Sequence, residues 1–276
     1  GSDEFTRTAI EIAADMGYGW NLGNTMEATN TWTSNPKVTD FETAWGQPVT
    51  TKAMIDGIKK AGFNSIRIPV SWSNMMSSDG NYTIDASYFK RVDEIISYAF
   101  ANDMYVIIND HYDGGWWEHF CGNKRDCMKH YKNMWTQVAG HYKDYSEKLI
   151  FESANEELGD SLKKSLSKID VNISDTALYN LVNEINQTFV DIVRQSGGNN
   201  ARRYLLIAGF NTDIDKTCSS LYEMPADTIS NHLMVSVHYY TPWTYVGLYK
   251  DEGYGYKATW GTDSDKSEMA WNFAKM

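Results

Sequence analysis

Short apolar runs alternate with helical patterns along the whole chain, and this alternation restricts the possible folds more than any other feature. Six runs are dominated by Val, Ile, Leu and aromatic residues: 18–22, 65–69, 105–109, 149–153, 204–208 and 234–239. Apolar runs of this length are typical of strands that are covered on both faces, as in parallel sheets. The sequence therefore predicts an α/β fold built from right-handed βαβ units.

Helical periodicity fills the intervals between these runs. Apolar residues recur at helical spacing over residues 50–61, 87–102 and 176–196. A further amphipathic helix is predicted to begin near residues 264–266 and to continue to residue 276. Since no linker or low-complexity stretch divides the chain, we expect a single domain over residues 1–276.

The longest irregular stretches follow strands, at residues 23–49, 110–126, 157–175 and 239–265. In a (β/α)8 barrel, or TIM barrel, the loops after the strands build the active site. A closed barrel of this kind has eight βα units, whereas six strands are predicted here. We therefore expect a TIM barrel of which this chain holds about six units and lacks the last two.

The charge balance restricts the partners. A net charge of −11 and a pI of about 5.0 argue against nucleic acid and anionic membranes, and they favour an uncharged substrate. No run approaches the roughly 20 apolar residues of a membrane helix. Gly1 and Ser2 resemble a cloning remnant before a mature domain, in which case a secretion signal would already have been removed.

Three cysteines are present. Cys121 and Cys127 bound a short segment, and Cys218 lies far away in the sequence. A disulfide between Cys121 and Cys127 and three free thiols are equally compatible with this spacing. A zinc site is not expected, because no Cys-x-x-Cys pair or His-x₃-His run accompanies the cysteines.

Polar side chains stand at or just after the ends of the predicted strands. They are Asn21, Arg67, Asn109, His111, Asn155, Glu156, His238 and Tyr240. Each has an ordinary structural explanation when taken alone, such as a strand arginine paired with a buried glutamate. Because the carboxyl ends of parallel barrel strands converge, the whole set would form one pocket.

Six segments, in this order, carry these residues and their neighbours: GWNLGNTMEA, ETAWG, AGFNSIRIPVSW, VIINDHYDGGWW, LIFESANEE and SVHYYTPW. They cover residues 17 to about 243 and resemble glycoside hydrolase family 5, in particular its endoglucanases and xyloglucanases. The resemblance implies a secreted, retaining endo-β-1,4-glucanase that cleaves cellulose, mixed-linkage glucan or xyloglucan without a cofactor or metal. A mannanase or xylanase on the same scaffold stays open as an alternative.

The resemblance also implies residue roles. Glu156 would be the general acid/base, Asn155 would hold the sugar 2-hydroxyl, and Arg67 would lie beneath the nucleophile and keep it ionised. His111 would line the region of the cleaved bond with Asn109, while His238 and Tyr240 would position the two catalytic carboxyl groups. Substrate contacts are expected from Asn21, Trp45, Asn109, Trp116, Trp117 and Trp243, with Trp20 as a further candidate and the Trp116–Trp117 pair as the preferred stacking platform.

One catalytic group of the family pattern has no counterpart in this sequence. A retaining glycosidase uses two carboxyl groups, a general acid/base with a raised pKa and a nucleophile that stays ionised. The family's nucleophile is a glutamate in a Gly-Glu-aromatic-Gly segment after the seventh strand, and Glu268, the last glutamate here, lies instead at a predicted helix start. We therefore expect the chain to be largely inactive alone and to need a C-terminal segment, a swapped protomer or a second chain.

Two other classes of function stay open. A non-catalytic β-glucan-binding barrel would keep the cleft without the nucleophile. A metal-dependent barrel hydrolase could use Asp110, His111 and His238, but the first strand lacks the His-x-His pair that such an enzyme would need.

Overall fold

Six parallel strands form one sheet in a computed structural model that describes residues 4–164 and 171–276. They are β1 Gly19–Asn21, β2 Ser65–Ile68, β3 Tyr105–Ile108, β4 Leu149–Glu152, β5 Leu205–Ala208 and β6 Leu233–Ser236. Each strand pairs in parallel with the next along the chain. All six predicted strands are confirmed, each somewhat shorter than predicted, and the parallel α/β barrel architecture is confirmed with them.

One helix precedes β1, and others follow the strands, within the described ranges. They are α1 Ala9–Met16, α2 Val38–Glu42, α3 Lys52–Lys60, α4 Ala86–Phe100, α5 Lys124–Tyr142, α6 Asp175–Gln195, α7 Ile214–Thr217, α8 Trp243–Val246 and α9 Asp263–Phe273. The predicted helices over 50–61, 87–102 and 176–196 correspond to α3, α4 and α6. The expectation that the last helix continues to residue 276 is wrong, because α9 ends at Phe273.

Side-chain caps and apolar stripes explain where the helices form. The Asp85 side chain accepts a hydrogen bond from the amide of Ser87 at the start of α4, and Ser174 caps α6 in the same way. The sequence prediction does not contain α5, although Tyr131 and Trp135 recur at helical spacing on its buried face. None of the helices in the described ranges combines the length and apolar character needed to cross a membrane.

Short 3₁₀ segments connect the longer elements, and they are Trp72–Met75, Asp113–His119, Asp160–Lys163, Gly198–Ala201 and Phe210–Thr212. Two of them, Asp113–His119 and Asp160–Lys163, lie in predicted irregular stretches. The stretches 23–49 and 239–265 also contain the short helices α2 and α8. Part of the stretch 157–175, residues 165–170, lies outside the described residues.

Two apolar clusters hold the sheet. The larger lies between the strands and helices α3 to α6, and it includes the fully buried Trp72, Trp135 and Phe151. The smaller lies at the amino ends of the strands, where Phe5 and Ile12 of the N-terminal segment pack with residues of β3 and β4 and the adjoining Tyr204. The N-terminal segment therefore closes the bottom of the sheet and leaves the carboxyl ends of the strands for the site.

Candidate active site

A cavity of about 310 Å³ lies at the carboxyl ends of the strands. It is lined by Asn21, Gly23, Glu27, Arg67, Pro69, His111, Asn155, Glu156, His238 and Tyr240. The structure thus brings together seven of the eight polar strand-end residues considered above. The eighth, Asn109, is fully buried and does not line the cavity.

Arg67 on β2 connects the residues beneath the cavity. Its Nε lies 2.7 Å from Oε2 of Glu152, the buried carboxylate that ends β4. Its two terminal nitrogens donate to the side-chain oxygens of Asn21 at 3.3 Å and Asn155 at 3.0 Å. Arg67 therefore fixes the side chains that follow β1 and β4 relative to each other.

Glu152 is a structural partner that the site prediction does not contain. Besides Arg67, it accepts hydrogen bonds from Asn109 Nδ2 at 3.1 Å and from the Ser236 hydroxyl at 2.7 Å. These donors come from β2, β3 and β6, so one buried carboxylate joins three strands to β4. A charged residue that ends an otherwise apolar strand is the sequence feature that points to it.

The side chain of Asn109 is fully buried. Its side-chain oxygen accepts a hydrogen bond from the Val70 amide at 3.2 Å, and Nδ2 faces both Glu152 and Nδ1 of His111. These contacts use the polar atoms of a fully buried side chain, and the substrate contact expected of Asn109 stays a prediction. Burial and the positive charge of Arg67 lower the pKa of His111 to about 3, which leaves its ring neutral.

Glu156 points into the cavity from the loop after β4. Its Oε1 lies 2.7 Å from Nδ1 of His238 and accepts a longer hydrogen bond, at 3.4 Å, from the hydroxyl of Tyr240. The hydrogen bond from His238 lowers the pKa of Glu156, although partial burial opposes the effect. A general acid needs a raised pKa, so the described residues alone hold Glu156 in its ionised, base-like form.

Glu157, the next residue along the chain, has a raised pKa instead of a lowered one. Burial raises the pKa of Glu157 to about 7, and its Oε2 has no hydrogen-bond partner among the described residues. Glu157 does not line the cavity, however. Since a catalytic acid must first be able to reach the substrate, Glu156 remains the candidate.

The structure separates the predicted tryptophans into two groups. Trp117 is fully buried and stacks on Trp116, whose ring also stacks on His130 at 4.2 Å. The expected role of Trp117 as a stacking platform is therefore replaced by a packing role. Trp45 and Trp243 are 42% and 52% exposed, and the ring of Trp243 lies 6.3 Å from that of Tyr240 at the edge of the cavity.

Two buried carboxyl groups support the loop that contains these rings. Asp110 accepts a hydrogen bond from the indole nitrogen of Trp117, and Asp113 accepts one from that of Trp116. Ser73 also donates to Asp113 from its amide and its hydroxyl. Burial, followed by the neighbouring Asp113, raises the pKa of Asp110 well above its ordinary value.

Metal binding and disulfide formation find no support in the described ranges. In residues 4–164 and 171–276, no group of three or more His, Cys, Asp or Glu side chains is arranged to hold a metal ion. Asp110, His111 and His238 therefore do not form a metal site in this structure. Cys121, Cys127 and Cys218 are all free thiols in this structure.

Comparison with known proteins places this geometry in a family. The family model described as Cellulase (glycosyl hydrolase family 5) matches residues 26–276. Endoglucanase A of Paenibacillus barcinonensis is 40% identical over 261 residues, covering 89% of this chain and 62% of that protein. The chain spans 62%, 56% and 48% of the lengths of three curated relatives, this one included.

Solved structures agree in fold as well as in sequence. A glycoside hydrolase family 5 lichenase from Caldicellulosiruptor sp. F32, a mutant in complex with cellotetraose, is 35% identical with a TM-score of 0.86, covering 98% of this chain and 73% of that one. A GH5-4 broad specificity endoglucanase from Ruminococcus champanellensis with bound cellotriose is 35% identical with a TM-score of 0.84, covering 99% of this chain and 76% of that one. The chain belongs to the cellulase family, glycosyl hydrolase family 5.

Proposed function

We propose that this chain supplies the acid/base side of the active site of a retaining endo-β-1,4-glucanase. The observation that carries the proposal is the Glu156 carboxyl group, held by His238 and Tyr240 in the cavity that Arg67 and Asn155 also line. The cello-oligosaccharides in the related structures support an uncharged β-glucan as substrate. Cellulose, mixed-linkage glucan and xyloglucan are the substrates of this class.

In this mechanism Glu156 first protonates the leaving glycosidic oxygen and later activates the water that releases the product. Asn155 contacts the 2-hydroxyl of the sugar at the cleaved bond. Arg67 donates to the side-chain oxygen of Asn155 and so orients its amide group, whose nitrogen also donates to the Glu157 carboxyl group. The contact with the 2-hydroxyl strengthens as the oxocarbenium-like transition state forms, so it contributes to rate more than to ground-state affinity.

The retaining mechanism needs a second carboxylate beside Glu156. His238 lowers the pKa of Glu156, whereas the acid step needs a proton on this group near neutral pH. A nucleophilic carboxylate about 5–5.5 Å away would raise that pKa by like-charge repulsion. We infer that this nucleophile joins the site from outside the described residues and that Arg67 then lies close enough to help keep it ionised.

The sheet has two edges at which such a segment can join. In the described ranges, β1 and β6 each pair with one neighbour. Open strand edges favour pairing with further strands. A further part of the same polypeptide, a swapped protomer or a second chain would each place two more βα units between β6 and β1.

Hydrolysis of carboxymethyl-cellulose tests the proposal. We expect the 276-residue chain to release little or no reducing sugar alone and to become active when the nucleophile-bearing segment is present. In the active form, Glu156→Gln should abolish turnover, whereas Glu184→Gln, an exposed residue on α6, should not. Full activity of the isolated chain would contradict the missing-nucleophile proposal, and full activity of the Glu156 variant would contradict the acid/base assignment.

The lowered pKa of Glu156 also favours a second candidate, a β-glucan-binding barrel without catalysis. Affinity electrophoresis in β-glucan gels distinguishes the two, since a binding protein is retarded but stays inactive even with the added segment. Parallel assays on mannan and xylan test the related activities. We also propose that the protein works outside the cell, because a polymeric glucan cannot enter one.

A further inference from the structure

A turn formed by residues 155–158, in the loop after β4, carries two adjacent carboxyl groups. The amide of Leu158 donates to the carbonyl of Asn155 at 3.4 Å, so Glu156 and Glu157 are the two central residues of the turn. Glu156 lines the cavity, whereas Glu157 does not, and its Oε2 is buried. The mechanism above uses Asn155 and Glu156 and gives Glu157 no role.

The turn is fixed against the segment that follows β5. The amide of Asn211 donates to the carbonyl of Leu158 at 2.8 Å, and its side-chain oxygen accepts a hydrogen bond from the amide of Asp160 at 2.7 Å. Gly159 lies between these contacts with a φ of 155°, and a Cβ atom there would overlap Asn211. The backbone therefore keeps the Glu157 side chain on the side of the turn away from the cavity.

The side-chain amide of Asn155 is held at both ends by partners of opposite polarity. Arg67 donates to its oxygen at 3.0 Å, and its nitrogen donates to the Glu157 carboxyl group. A guanidinium group can only donate, and an ionised carboxylate can only accept, so the amide has one orientation. Because an amide nitrogen carries two hydrogens and Asn155 lines the cavity, the second hydrogen is available to a ligand there.

The Glu157 carboxyl group occupies a costly position. It accepts hydrogen bonds from Asn155 and from its own amide, but its Oε2 has no partner among the described residues. The charges of Glu156 and Arg67 act on it, and its own charge acts on the buried Asp110 of the loop after β3. A buried carboxyl group with an unpartnered oxygen lowers stability. Such departures from a stable arrangement are expected at functional sites.

We propose that Glu157 is a positioning residue that holds the Asn155 amide with its second hydrogen turned towards the sugar in the cavity. Glu157 acts through Asn155 and touches neither the sugar nor the cleaved bond. This inference rests on the proposed function, since it needs a glycan beside Asn155. The competing explanation is that Glu157 only stabilises its own turn.

Nuclear magnetic resonance of the full chain, labelled with nitrogen-15 in asparagine, tests the contact without any need for activity. The side-chain amide signal of Asn155 is identified by its absence from an Asn155→Ser variant. We expect this signal to shift with pH around the pKa of Glu157, which burial raises to about 7. Glu157→Gln should abolish the shift, whereas the matched neighbour variant Glu156→Gln should retain it.

Turnover of β-glucan by the active form tests the positioning role. Glu157→Met removes the acceptor at similar side-chain length and should lower kcat about 10- to 100-fold with little change in KM, because misplacement of a group used in the transition state costs rate. Glu157→Gln keeps a carbonyl acceptor and should recover kcat to within about threefold. Glu184→Met, the same change at an exposed position on α6, should leave kcat unchanged. In an Asn155→Ala background, Glu157→Met should have little further effect, since its target is gone.

The outcomes distinguish this inference from the proposed function. An Asn155 signal that does not titrate, or that still titrates in Glu157→Gln, would refute the contact whether or not the protein is active. A folded Glu157→Met variant with full kcat, or one that loses as much kcat in the Asn155→Ala background as alone, would refute the positioning role and leave the proposed function standing. If the completed protein hydrolyses no β-glucan, the proposed function fails and the role of Glu157 in the reaction fails with it.

Discussion

Removal of the Arg67 guanidinium tests how far the buried carboxylate of Glu152 depends on it. Glu152 is fully buried and the Arg67 side chain is 15% exposed. Loss of one partner from a buried ion pair costs about 3–5 kcal/mol, because an uncompensated charge remains inside the protein. Asn109 and Ser236 still donate to Glu152. We therefore expect Arg67→Met to lower the free energy of unfolding by about 3 kcal/mol, the lower end of that range.

Thermal and urea unfolding measure this loss. Globular proteins gain about 2.1 cal/mol/K of unfolding entropy per residue, or about 0.58 kcal/mol/K for a chain of this length, so about 3 kcal/mol lowers Tm by about 5 °C. The double variant Arg67→Met, Glu152→Met buries neither charge and should recover at least half of the loss. The control is Lys52→Met in the exposed Lys52–Asp56 pair, which should cost no more than about 0.5 kcal/mol.

Two results would refute this reasoning. A loss of less than about 1 kcal/mol for Arg67→Met would mean that Asn109 and Ser236 are sufficient to hold Glu152. A double variant that is less stable than Arg67→Met would mean that the Glu152 side chain stabilises the sheet for reasons other than its charge. In either case the ion pair would not be the connection between β2 and β4.

Three further predictions concern the loop after β3 and the thiols. The raised pKa of Asp110 means that folding takes up a proton once the pH exceeds the ordinary carboxyl pKa of 3.8, so the free energy of unfolding falls as the pH rises above 3.8. Asp110→Asn removes the contribution of this carboxyl group. Urea unfolding at pH 5 and pH 8 should therefore show that the stability of the variant, relative to the unsubstituted chain, grows with pH. Trp117→Ala should cost about 3–5 kcal/mol as a large buried deletion, measured by the same unfolding curves, and a loss of less than about 1 kcal/mol would contradict the packing role. Alkylation of the unfolded chain without reductant should add three labels, one for each free cysteine, whereas a single label would indicate a disulfide.

The regular part of the fold could be predicted from the sequence because each strand is a short apolar run with its own boundary residues. The same patterns placed Arg67, Glu156 and His238 at converging strand ends. Helix α5 was missed because its start, Lys124, lies within a stretch rich in polar residues and Gly, which hid the helical spacing that follows. Periodicity identifies an element well only when its flanking residues also show where it begins.

The contacts of individual side chains could not be predicted in the same way. Trp117 occurs in a matched segment, but whether its indole faces the cavity or the core depends on its hydrogen bond to Asp110. Glu27 also lies in a matched segment, and its hydrogen-bond donors are the main-chain amides of Asn24 and Thr25. Since every residue type except proline has such an amide, the sequence does not reveal these contacts. Sequence patterns indicate which residue types converge, while burial decides which of them meet a ligand.

The N-terminal segment at the bottom of the sheet has a consequence for the order of folding. The carbonyl oxygen of Phe5 lies 3.1 Å from Nε2 of His232, a residue 227 positions away, and the amide of Ala9 donates to the carbonyl of Asn231 at 2.7 Å. Contacts of such long range raise the loop-closure entropy that must be overcome, which slows their formation. Residues 5–9 can make these contacts only once residues 231 and 232, just before β6, are in place, so we expect this segment to dock late in folding.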